Sequence, residues 1–415
     1  MNRFKKIPVI PDVLFLIFIF ILFILIRSMN YSLHINFSFD QADAGIKIMD
    51  MWKNSEITLV GPGNSIIVNG KQMIQGSLNY YFPMIFFVLG KFDPIHSSYI
   101  FMLFTALMII PLFFGIKWLF NRQVAIFITI LYCLLPVYID STRFFFGPNF
   151  QLSLLPVVTL FMGLYKKFGD NRFFFMIFFS LGVICQIHFA TLFILLLLSA
   201  YYLISERKNI RKFVLATLGF IIGFSPIIIF ELKNNFYNIR ILAEYWQLSR
   251  SAKNFELTPH RYINSLLILI VLSAHLYKKY VNKKTILITL FFLLIVDTFL
   301  YFPKPSHAYG MNENWNFPME RKAYEIIRGQ NIKKYNIVNH IYDNLSIVIK
   351  YQMKRDGVII DFEDYYHNDF LFVISNNENI FNDPAYEIKT FQPNRKIKEW
   401  KLNNRYNLYL FERIR

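Results

Sequence analysis

Val13-Leu-Phe-Leu-Ile-Phe-Ile-Phe-Ile-Leu-Phe-Ile-Leu-Ile26 is an unbroken apolar run near the start of the chain. Further apolar runs follow it and, with their ends slightly extended, reach the roughly 20 residues that cross a bilayer. They lie at 96–118, 123–139, 150–165, 173–187, 189–204, 213–231, 262–277 and 285–302. The composition, 55% hydrophobic and 19% aromatic, is too apolar for an ordinary soluble domain. The sequence therefore predicts an α-helical polytopic membrane protein with about nine transmembrane helices.

Lysine and arginine residues predict the orientation of these helices, because short cytoplasmic loops of membrane proteins carry an excess of both. Arg3, Lys5 and Lys6 place the N-terminus in the cytoplasm, and alternate crossing then puts every short basic cluster between spans on that side. The clusters are Arg122; Lys166, Lys167 and Arg172; Arg207, Lys208, Arg211 and Lys212; and Lys278, Lys279, Lys283 and Lys284. We expect a multi-pass protein of the cell membrane with an extracytoplasmic C-terminal region.

Charge and cysteine content argue against other classes of protein. Inner loops facing anionic lipid headgroups account for much of the net charge of +17. Basic and aromatic residues do not alternate as they do in RNA-binding proteins, so we expect no nucleic-acid partner. The first apolar run lacks a small-residue cleavage site and is read as an uncleaved signal anchor. Cys133 and Cys185 both lie in apolar runs, which gives neither a disulfide framework nor a metal-binding spacing.

Two domains are predicted along the chain. A transmembrane domain is expected at 1–302, with interfacial helices in an outer loop at 28–95 that carries an acidic motif, and a small extracytoplasmic α/β domain at 303–415. Within the outer loop, Asp40–Asn54 is predicted as a short helix and Leu59–Asn64 as a turn rich in glycine and proline.

The segment Leu78–Leu89 is apolar but only about a dozen residues long, which favours an interfacial or re-entrant helix over a span.

Hydrophobic patterning predicts the elements of the C-terminal domain. Met319–Arg328 is helix-like, whereas Tyr335–Asn339, Asp369–Ser375 and Tyr406–Glu412 are typical of strands. Leu345–Lys350 is expected to be a strand or a helix–strand segment. About 110 residues are enough to bury a core of this kind.

Unusual polar residues share the predicted outer side of the membrane. They fall into four groups near the outer ends of the predicted helices. Ionisable groups at membrane depth are costly and often functional, so we expect the four groups to face one cavity. They comprise Asp40 and Asp43; Asp140, Arg143 and Asn149; Gln186 and His188; and Glu231, Lys233 and Arg240. A carboxylate suits general-base work on a hydroxyl, and arginine or lysine suits a phosphate leaving group. The set is therefore appropriate for transfer of a group from a lipid phosphate carrier.

The chain resembles the GT-C superfamily of integral membrane glycosyltransferases, in its protein-mannosyltransferase-like and aminoarabinose-transferase-like branch. The resemblance covers residues 1 to about 245 and rests on the order of several short strings. These are Phe39-Asp40-Gln-Ala, Leu59-Val-Gly-Pro before Tyr80-Tyr81, Arg143-Phe-Phe-Phe-Gly-Pro-Asn149, Gln186-Ile-His188-Phe-Ala-Thr-Leu, and Phe224-Ser-Pro226 leading to Phe230-Glu231-Leu-Lys233. The resemblance implies a polyprenyl-phosphate sugar donor, contact with membrane lipid, and a protein, lipid or glycan acceptor.

By this resemblance Asp40 is the catalytic base, with Asp43 as the second acid of the motif. Arg143, helped by Lys233 or Arg240, would stabilise the departing lipid phosphate, and His188 would orient the donor. Asn149 and Glu231 complete the expected substrate-binding set. Close relatives carry Asp-Gln-x-Arg-Asp at the motif, whereas this chain has Asp40-Gln-Ala-Asp43-Ala44, so the arginine is absent and the second acid is shifted by one residue.

Structural roles compete with these functional ones. Asp40 is also a good helix N-cap, and an acid in a first helical turn such as Asp43 favours the helix dipole. Arg143 is also placed for snorkelling to the interface, and Asp297, near the outer end of the last span, for pairing with a neighbouring helix. The carboxylates and His188 are able to bind a divalent metal ion, and the resemblance leaves metal dependence open.

Three functions fit the sequence. The first is an inverting glycosyltransferase acting on the outer side of the membrane. The second is a flippase or transporter of a lipid-linked precursor, a class that shows internal repeats and broken helices. The third is a catalytically inactive member of the same fold, which the altered acidic motif favours.

Overall fold

The computed structural model describes residues 10–189, 191–206, 209–249, 280–358, 364–377, 379–383 and 385–414. Of the described residues, 64% are helical. It divides into two compact units. The first comprises Met1–Met29, Ile57–Phe86 and Ser98–Pro303, and the second comprises Asn30–Glu56, Phe87–Ser97 and Lys304–Arg415. The second unit thus combines the C-terminal region with two segments of the predicted outer loop.

Apolar helices form most of the first unit. They are α1 (Ile10–Ser28), α4 (Leu78–Leu89), α5 (Pro94–Leu107), α6 (Ile109–Leu119), α7 (Arg122–Leu134), α8 (Pro136–Ser141), α9 (Gly147–Phe168), α10 (Asn171–Ile187), α11 (Thr191–Ser205), α12 (Ile210–Gly223), α13 (Ser225–Lys233), α14 (Tyr237–Ser249) and α15 (Lys283–Tyr301). Side chains of α1, α6, α7, α9 and α10 supply much of its buried core. Helices α4 and α5 continue into the second unit.

Four of the described helical segments are long and apolar enough to cross a membrane. They are Ile10–Ser28, Pro94–Leu119, Gly147–Phe168 and Lys283–Tyr301. The pair α12 and α13 makes a fifth if its 70° bend is counted within one span. The predicted span 262–277 lies outside the described residues, and each of the other predicted spans contains helix.

Proline explains where two predicted spans break. Leu135 has extended backbone before Pro136, so the predicted span 123–139 divides into α7 and α8. Helix α13 carries Pro226 in its first turn, where proline needs no amide hydrogen, and α12 ends just before it. The apolar runs thus determine which segments are helical, and the prolines determine where the helices are interrupted.

A β-hairpin replaces the predicted turn at Leu59–Asn64. Strand β1 (Val60–Val68) pairs antiparallel with β2 (Lys71–Gly76), with register shifts in its glycine-containing half. The turn lies instead at Asn69-Gly70, where both residues have positive φ. Asn-Gly between two strands is a strong signal for this kind of hairpin. The prediction of a turn at 59–64 was wrong because glycine and proline here occupy an irregular strand.

The second unit contains a four-stranded sheet with the order β3-β4-β6-β5. Its strands are β3 (Tyr335–Asn339), β4 (Phe370–Ser375), β5 (Asn394–Lys401) and β6 (Asn407–Arg413). β3 and β4 are parallel, and the other pairs are antiparallel. The three predicted strands and the helix α16 (Phe317–Gly329) are confirmed. β5, at one edge of the sheet, was not predicted because its run of charged residues hides the alternation.

Three further helices belong to the second unit: α2 (Tyr31–His34), α3 (Phe39–Asn54) and α17 (Ile347–Arg355). A short helix, α18 (Tyr386–Lys389), follows β4. Helix α3 confirms the helix predicted at Asp40–Asn54, whereas α17 corrects the strand-like prediction at Leu345–Lys350. Every side chain from Ile347 to Met353 is buried, so this helix has no polar face from which its period can be read.

Candidate functional site

The acidic motif begins helix α3. Gln41 Oε1 accepts hydrogen bonds from the backbone N–H and the hydroxyl of Ser38, at 2.8 and 2.7 Å. Ser38 has extended backbone and is the residue at which the helix is capped. The alternative role of Asp40 as N-cap is therefore wrong: Asp40 lies within the first turn, and its side chain is exposed.

Asp43 follows Asp40 by three residues, which brings the two carboxylates to the same face of the helix. Surrounding protein atoms that partly exclude water, and then the negative charge of Asp40, raise the pKa of Asp43. The pair therefore holds a proton to higher pH than an isolated aspartate does. We call Asp40 and Asp43 the acidic pair; both lie in the second unit.

Helix α17 supports the helix that carries the acidic pair. A Cβ added to Gly45 would lie 2.5 Å from Cε2 of Tyr351, so only glycine allows the two helices to approach this closely. The Tyr351 hydroxyl donates to the carbonyl of Phe92 at 2.6 Å, and its ring lies 5.1 Å from that of Phe37.

An ion pair between Lys354 and Asp50, 2.6 Å apart, adds a second connection between α17 and α3. The C-terminal region thus takes part in holding the acidic pair, a role that the sequence did not reveal.

A group of polar side chains lies where the hairpin meets the ends of α9, α10 and α12 in the first unit. We call it the polar corner, and its members are Gln75, Asn79, Asn149, Gln151, Gln186, His188, Glu231 and Asn238. Asn79 donates to the carbonyl of Ile187 at 2.6 Å, and Gln186 donates to the carbonyl of Gly223 at 2.6 Å. These carbonyls end α10 and α12, so the amide side chains satisfy groups that a helix terminus leaves unpaired.

His188 directly follows α10 and has extended backbone, with φ −160° and ψ 130°. Its carbonyl accepts a hydrogen bond from Gln151, which also donates to the hydroxyl of Thr191. Asn149 is buried and donates to the carbonyl of Phe144 at 2.7 Å. The structure therefore brings the predicted residues Asn149, Gln186 and His188 into one region.

Glu231 is buried and accepts from the backbone N–H groups of Asn238, at 3.2 Å, and Ile239, at 3.4 Å. It therefore satisfies donors at the start of α14. The Asn238 side chain pairs with the backbone of Ile74 in both directions, at 2.8 and 3.0 Å, and so fixes the hairpin to α14. This geometry gives Glu231 a structural role at the polar corner.

Lys233 and Arg240 are exposed on the same helical corner. Arg240 donates to the carbonyl of Asn234 at 3.2 Å, which directs its guanidinium back over the turn between α13 and α14. Exposed cations of this kind are suited to binding a phosphate.

Arg143 is only 1% exposed, and its guanidinium faces the C-terminal end of α1. It donates to the carbonyls of Ile26 at 2.9 Å, Arg27 at 2.9 and 3.1 Å, and Met29 at 3.3 Å. These are among the carbonyls that the last turn of a helix leaves without an internal donor. Arg143 therefore acts as a cap for α1, and its predicted contact with phosphate stays a prediction.

Further charges accompany Arg143 inside the helices. Arg27 is fully buried and donates to the Thr142 hydroxyl at 2.8 Å and to the Cys133 carbonyl at 2.7 Å. Asp297 is 2% exposed, and neither of its carboxylate oxygens has a hydrogen-bond partner among the described residues. It interacts electrostatically with Arg27 and Arg143, and also with Asp140. We call Arg27, Asp140, Arg143 and Asp297 the charge cluster; the expected pairing of Asp297 with a neighbouring helix stays a prediction.

Sequence reasoning did not single out Arg27, Asn79, Gln151 or Asn238. Arg27 ends an apolar run, which is a readable signal, but the three amides lie in strings with no charge or spacing to mark them. Among the described residues, no group of three or more histidine, cysteine or acidic side chains is arranged to hold a metal ion. Comparison of the chain with protein-family models, curated proteins and solved structures finds no match.

Proposed function

We propose that the protein is a membrane glycosyltransferase that moves a sugar from a polyprenyl-phosphate donor to an acceptor hydroxyl, with inversion. The observation that carries the proposal is the acidic pair: two neighbouring carboxylates in the first turns of a capped helix, in a chain with several membrane-length helices. The proposal includes about nine spans, a cytoplasmic N-terminus and transfer on the outer side of the membrane.

In the proposed reaction, the ionised carboxylate of Asp40 takes the proton of the acceptor hydroxyl. The acceptor oxygen forms a bond to the anomeric carbon from the face opposite the phosphate. The bond between that carbon and the phosphate oxygen breaks, and the polyprenyl phosphate leaves with the bonding electrons. Asp43 is the second acid of the proposed site, on the same face of the helix as the base.

Lys233 and Arg240 are the proposed ligands of the leaving phosphate, because both are exposed on the α13–α14 corner. The Arg143 guanidinium donates to carbonyls of α1. In the proposal, Arg143 therefore contributes to the site by holding the end of α1 in position. His188 is assigned to donor orientation, and Asn149 and Glu231 to the shape of the polar corner.

A cavity in the first unit is consistent with a lipid substrate. It has a volume of about 570 Å³ and lies among α10, α11 and α12. Apolar side chains such as Phe178, Tyr202 and Phe220 line it, together with the charged side chains of Glu206 and Lys212. Apolar cavities of roughly 300–1,000 Å³ are typical of small-molecule sites. Lys212 belongs to the basic cluster that we expect on the cytoplasmic side, so within the proposal this cavity would take the far part of an isoprenoid chain and not the sugar.

Release of free polyprenyl phosphate from a panel of polyprenyl-phosphate sugars, by the purified chain in detergent, tests the proposal. Asp40→Asn keeps the shape of the side chain and removes the base, so we expect turnover to fall by about 10²–10⁴-fold. Glu56→Gln is the matched control, because it removes an exposed carboxylate just after the same helix. Its turnover should stay near that of the natural chain.

Two outcomes contradict the proposal. Equal release by the natural chain and by Asp40→Asn would remove Asp40 as the base. A folded natural chain that releases no phosphate from any donor in the panel would reject the transfer reaction.

The bent helix pair α12 and α13 favours a second candidate, transport of a lipid-linked precursor. Transporters use discontinuous helices of this kind around their sites. Movement of a labelled lipid-linked sugar across vesicles without release of lipid phosphate would support transport. Release that requires Asp40 would support the enzyme.

A further inference from the structure

A polar cleft in the second unit is built by a chain of ion pairs. Asp93 accepts from Arg321 at 2.5 Å and from Arg355 at 3.3 Å. Asp356 accepts from Arg355 at 2.7 Å and from Arg328 at 2.9 Å. These residues line a cavity of about 660 Å³. The arginines are thus held in fixed positions around a space large enough for a small molecule.

Gln352 lines the same cleft and is the observation that points to a ligand. It is fully buried, and its amide oxygen Oε1 has no hydrogen-bond partner among the described residues. Its amide nitrogen makes only a long contact of 3.5 Å with the carbonyl of Val348. A buried acceptor without a donor is costly, so a donor group on a bound molecule would remove that cost.

The charges of the cleft restrict the kind of ligand. Arg321, Arg328 and Arg355 are balanced by Asp93, Glu325 and Asp356, all of which line the cavity. A free anion would have to compete with the carboxylates, and a metal ion would meet the guanidiniums. A neutral molecule with many hydroxyl groups is compatible with the carboxylates and with the guanidiniums. Each of its hydroxyls can donate to a carboxylate or to Gln352 and accept from an arginine.

We propose that this cleft binds a carbohydrate, as the recognition site for a glycan acceptor. The identification of that carbohydrate as the acceptor rests on the proposed function, whereas the binding of a sugar does not. The cleft contains side chains from α16 and α17 and from the segment that carries Asp93. Since α17 also supports the helix of the acidic pair, a sugar held here is bound by the same compact unit as the proposed base.

Saturation-transfer NMR on the full chain, held in a bilayer disc free of glycosidic detergent, tests this inference. The probes are methyl glycosides of glucose, mannose, galactose and N-acetylglucosamine. We expect at least one of them to receive saturation from the natural chain. Loss of one charged hydrogen bond in Arg328→Gln should weaken binding by about tenfold or more.

Gln352→Leu keeps the variant folded while it removes the proposed contact. It replaces an amide whose oxygen has no donor partner by an apolar group of similar size, a change that is neutral or stabilising in a buried position. Arg405→Gln is the matched control, because Arg405 is an arginine of the same unit paired with Glu313 at 2.6 Å and does not line the cleft. The control should bind like the natural chain.

The inference is overturned if none of the probes binds, or if Gln352→Leu and Arg328→Gln bind as the control does. Measuring donor turnover on the same preparations separates it from the proposed function. If the chain turns over the donor but no sugar binds to the cleft, only the inference about the cleft is rejected. If a sugar binds in a way that depends on Gln352 but the chain does not turn over the donor, only the proposed transferase function is rejected. Asp40→Asn should bind the sugar and fail to turn over.

Discussion

The start of α3 and the connection between α8 and α9 look alike in the sequence and differ in the structure. Each carries charged side chains close to apolar helices, and each was expected to contribute to one catalytic cavity. Asp40 is exposed in the first turn of a helix that Ser38 and Gln41 already cap. Arg143 is buried, and its guanidinium satisfies carbonyls at the end of α1.

The comparison teaches that a charge near a helix end has two competing uses. Where local side chains satisfy the helix terminus, as at α3, a charged side chain of the first turn is exposed. At the end of α1, a distant arginine donates to the terminal carbonyls of Ile26, Arg27 and Met29. Sequence position alone does not separate the two, because the carbonyls that Arg143 contacts lie more than a hundred residues away.

Arg143→Met gives the largest expected effect. It removes the donors for the end of α1 and leaves Asp140 and Asp297 with less positive charge nearby. Removing one partner from a buried ionic cluster costs about 3–5 kcal/mol. We expect the thermal unfolding midpoint of the solubilised chain to fall sharply.

Arg240→Met serves as the comparison, because Arg240 is exposed. It should unfold like the natural chain and, if Arg240 binds phosphate, lose affinity for the donor. If instead Arg143→Met unfolds normally and loses only donor affinity, the contrast between the two regions is wrong and Arg143 belongs with the phosphate ligands.

The helices were predictable because long apolar runs leave few alternatives to helix in a membrane. The breaks at Leu135 and Pro226 were predictable for the same local reason, since proline removes an amide donor. Helix α17 was not, because Ile347, Val348 and Ile349 favour strand locally and the helix is buried on all sides. Packing against α3 and α16 decides its conformation.

The features of the candidate residues also divide into those that the sequence predicts and those that it does not. The acidic pair was predictable because it depends on residues three apart in the sequence. The roles of Arg143, Glu231 and Asn238 were not, because each is set by backbone groups brought close only by folding. The support of α3 by Tyr351 joins segments about 300 residues apart, which no local pattern records.

Glu320 extends the comparison to a buried acid of the second unit, with an effect of intermediate size. Its Oε1 accepts from Trp315 at 2.8 Å, Tyr342 at 2.9 Å and Asn339 at 3.0 Å. Burial raises the pKa of Glu320 from 4.5 to about 7. The folded state therefore holds the proton more tightly than the unfolded state, and this contribution is fully present below pH 4.5 and lost as the pH rises to about 7.

At 1.36 kcal/mol per pKa unit, the loss is about 3 kcal/mol. Glu320→Gln keeps the acceptor oxygen and cannot ionise, so its unfolding free energy should fall less than that of the natural chain between pH 4.5 and 7. Glu325→Gln, on the exposed side of the same helix, should follow the natural chain. Identical pH dependence in all three proteins would show that Glu320 does not titrate in this range.

Gly45→Ala gives the smallest expected effect on stability and sharpens the comparison most directly. The added Cβ would lie 2.5 Å from the Tyr351 ring, so α3 or the ring must shift. Overpacking of this kind costs about 1–3 kcal/mol. Because α3 carries Asp40 and Asp43, we expect donor turnover to fall in the fraction of protein that remains folded, without any change to the carboxylates themselves. Gly169→Ala is the control, because its added Cβ meets nothing within 4 Å and its cost comes only from its positive φ of 68°. Gly169 belongs to the first unit, whereas the acidic pair belongs to the second. Stability and turnover measured on both variants distinguish a general loss of stability from a loss of support for the acidic pair.

Full turnover in a destabilised Gly45→Ala chain would mean that the acidic pair does not depend on the packing of α3 against α17. The assignment of a supporting role to the C-terminal region would then fail.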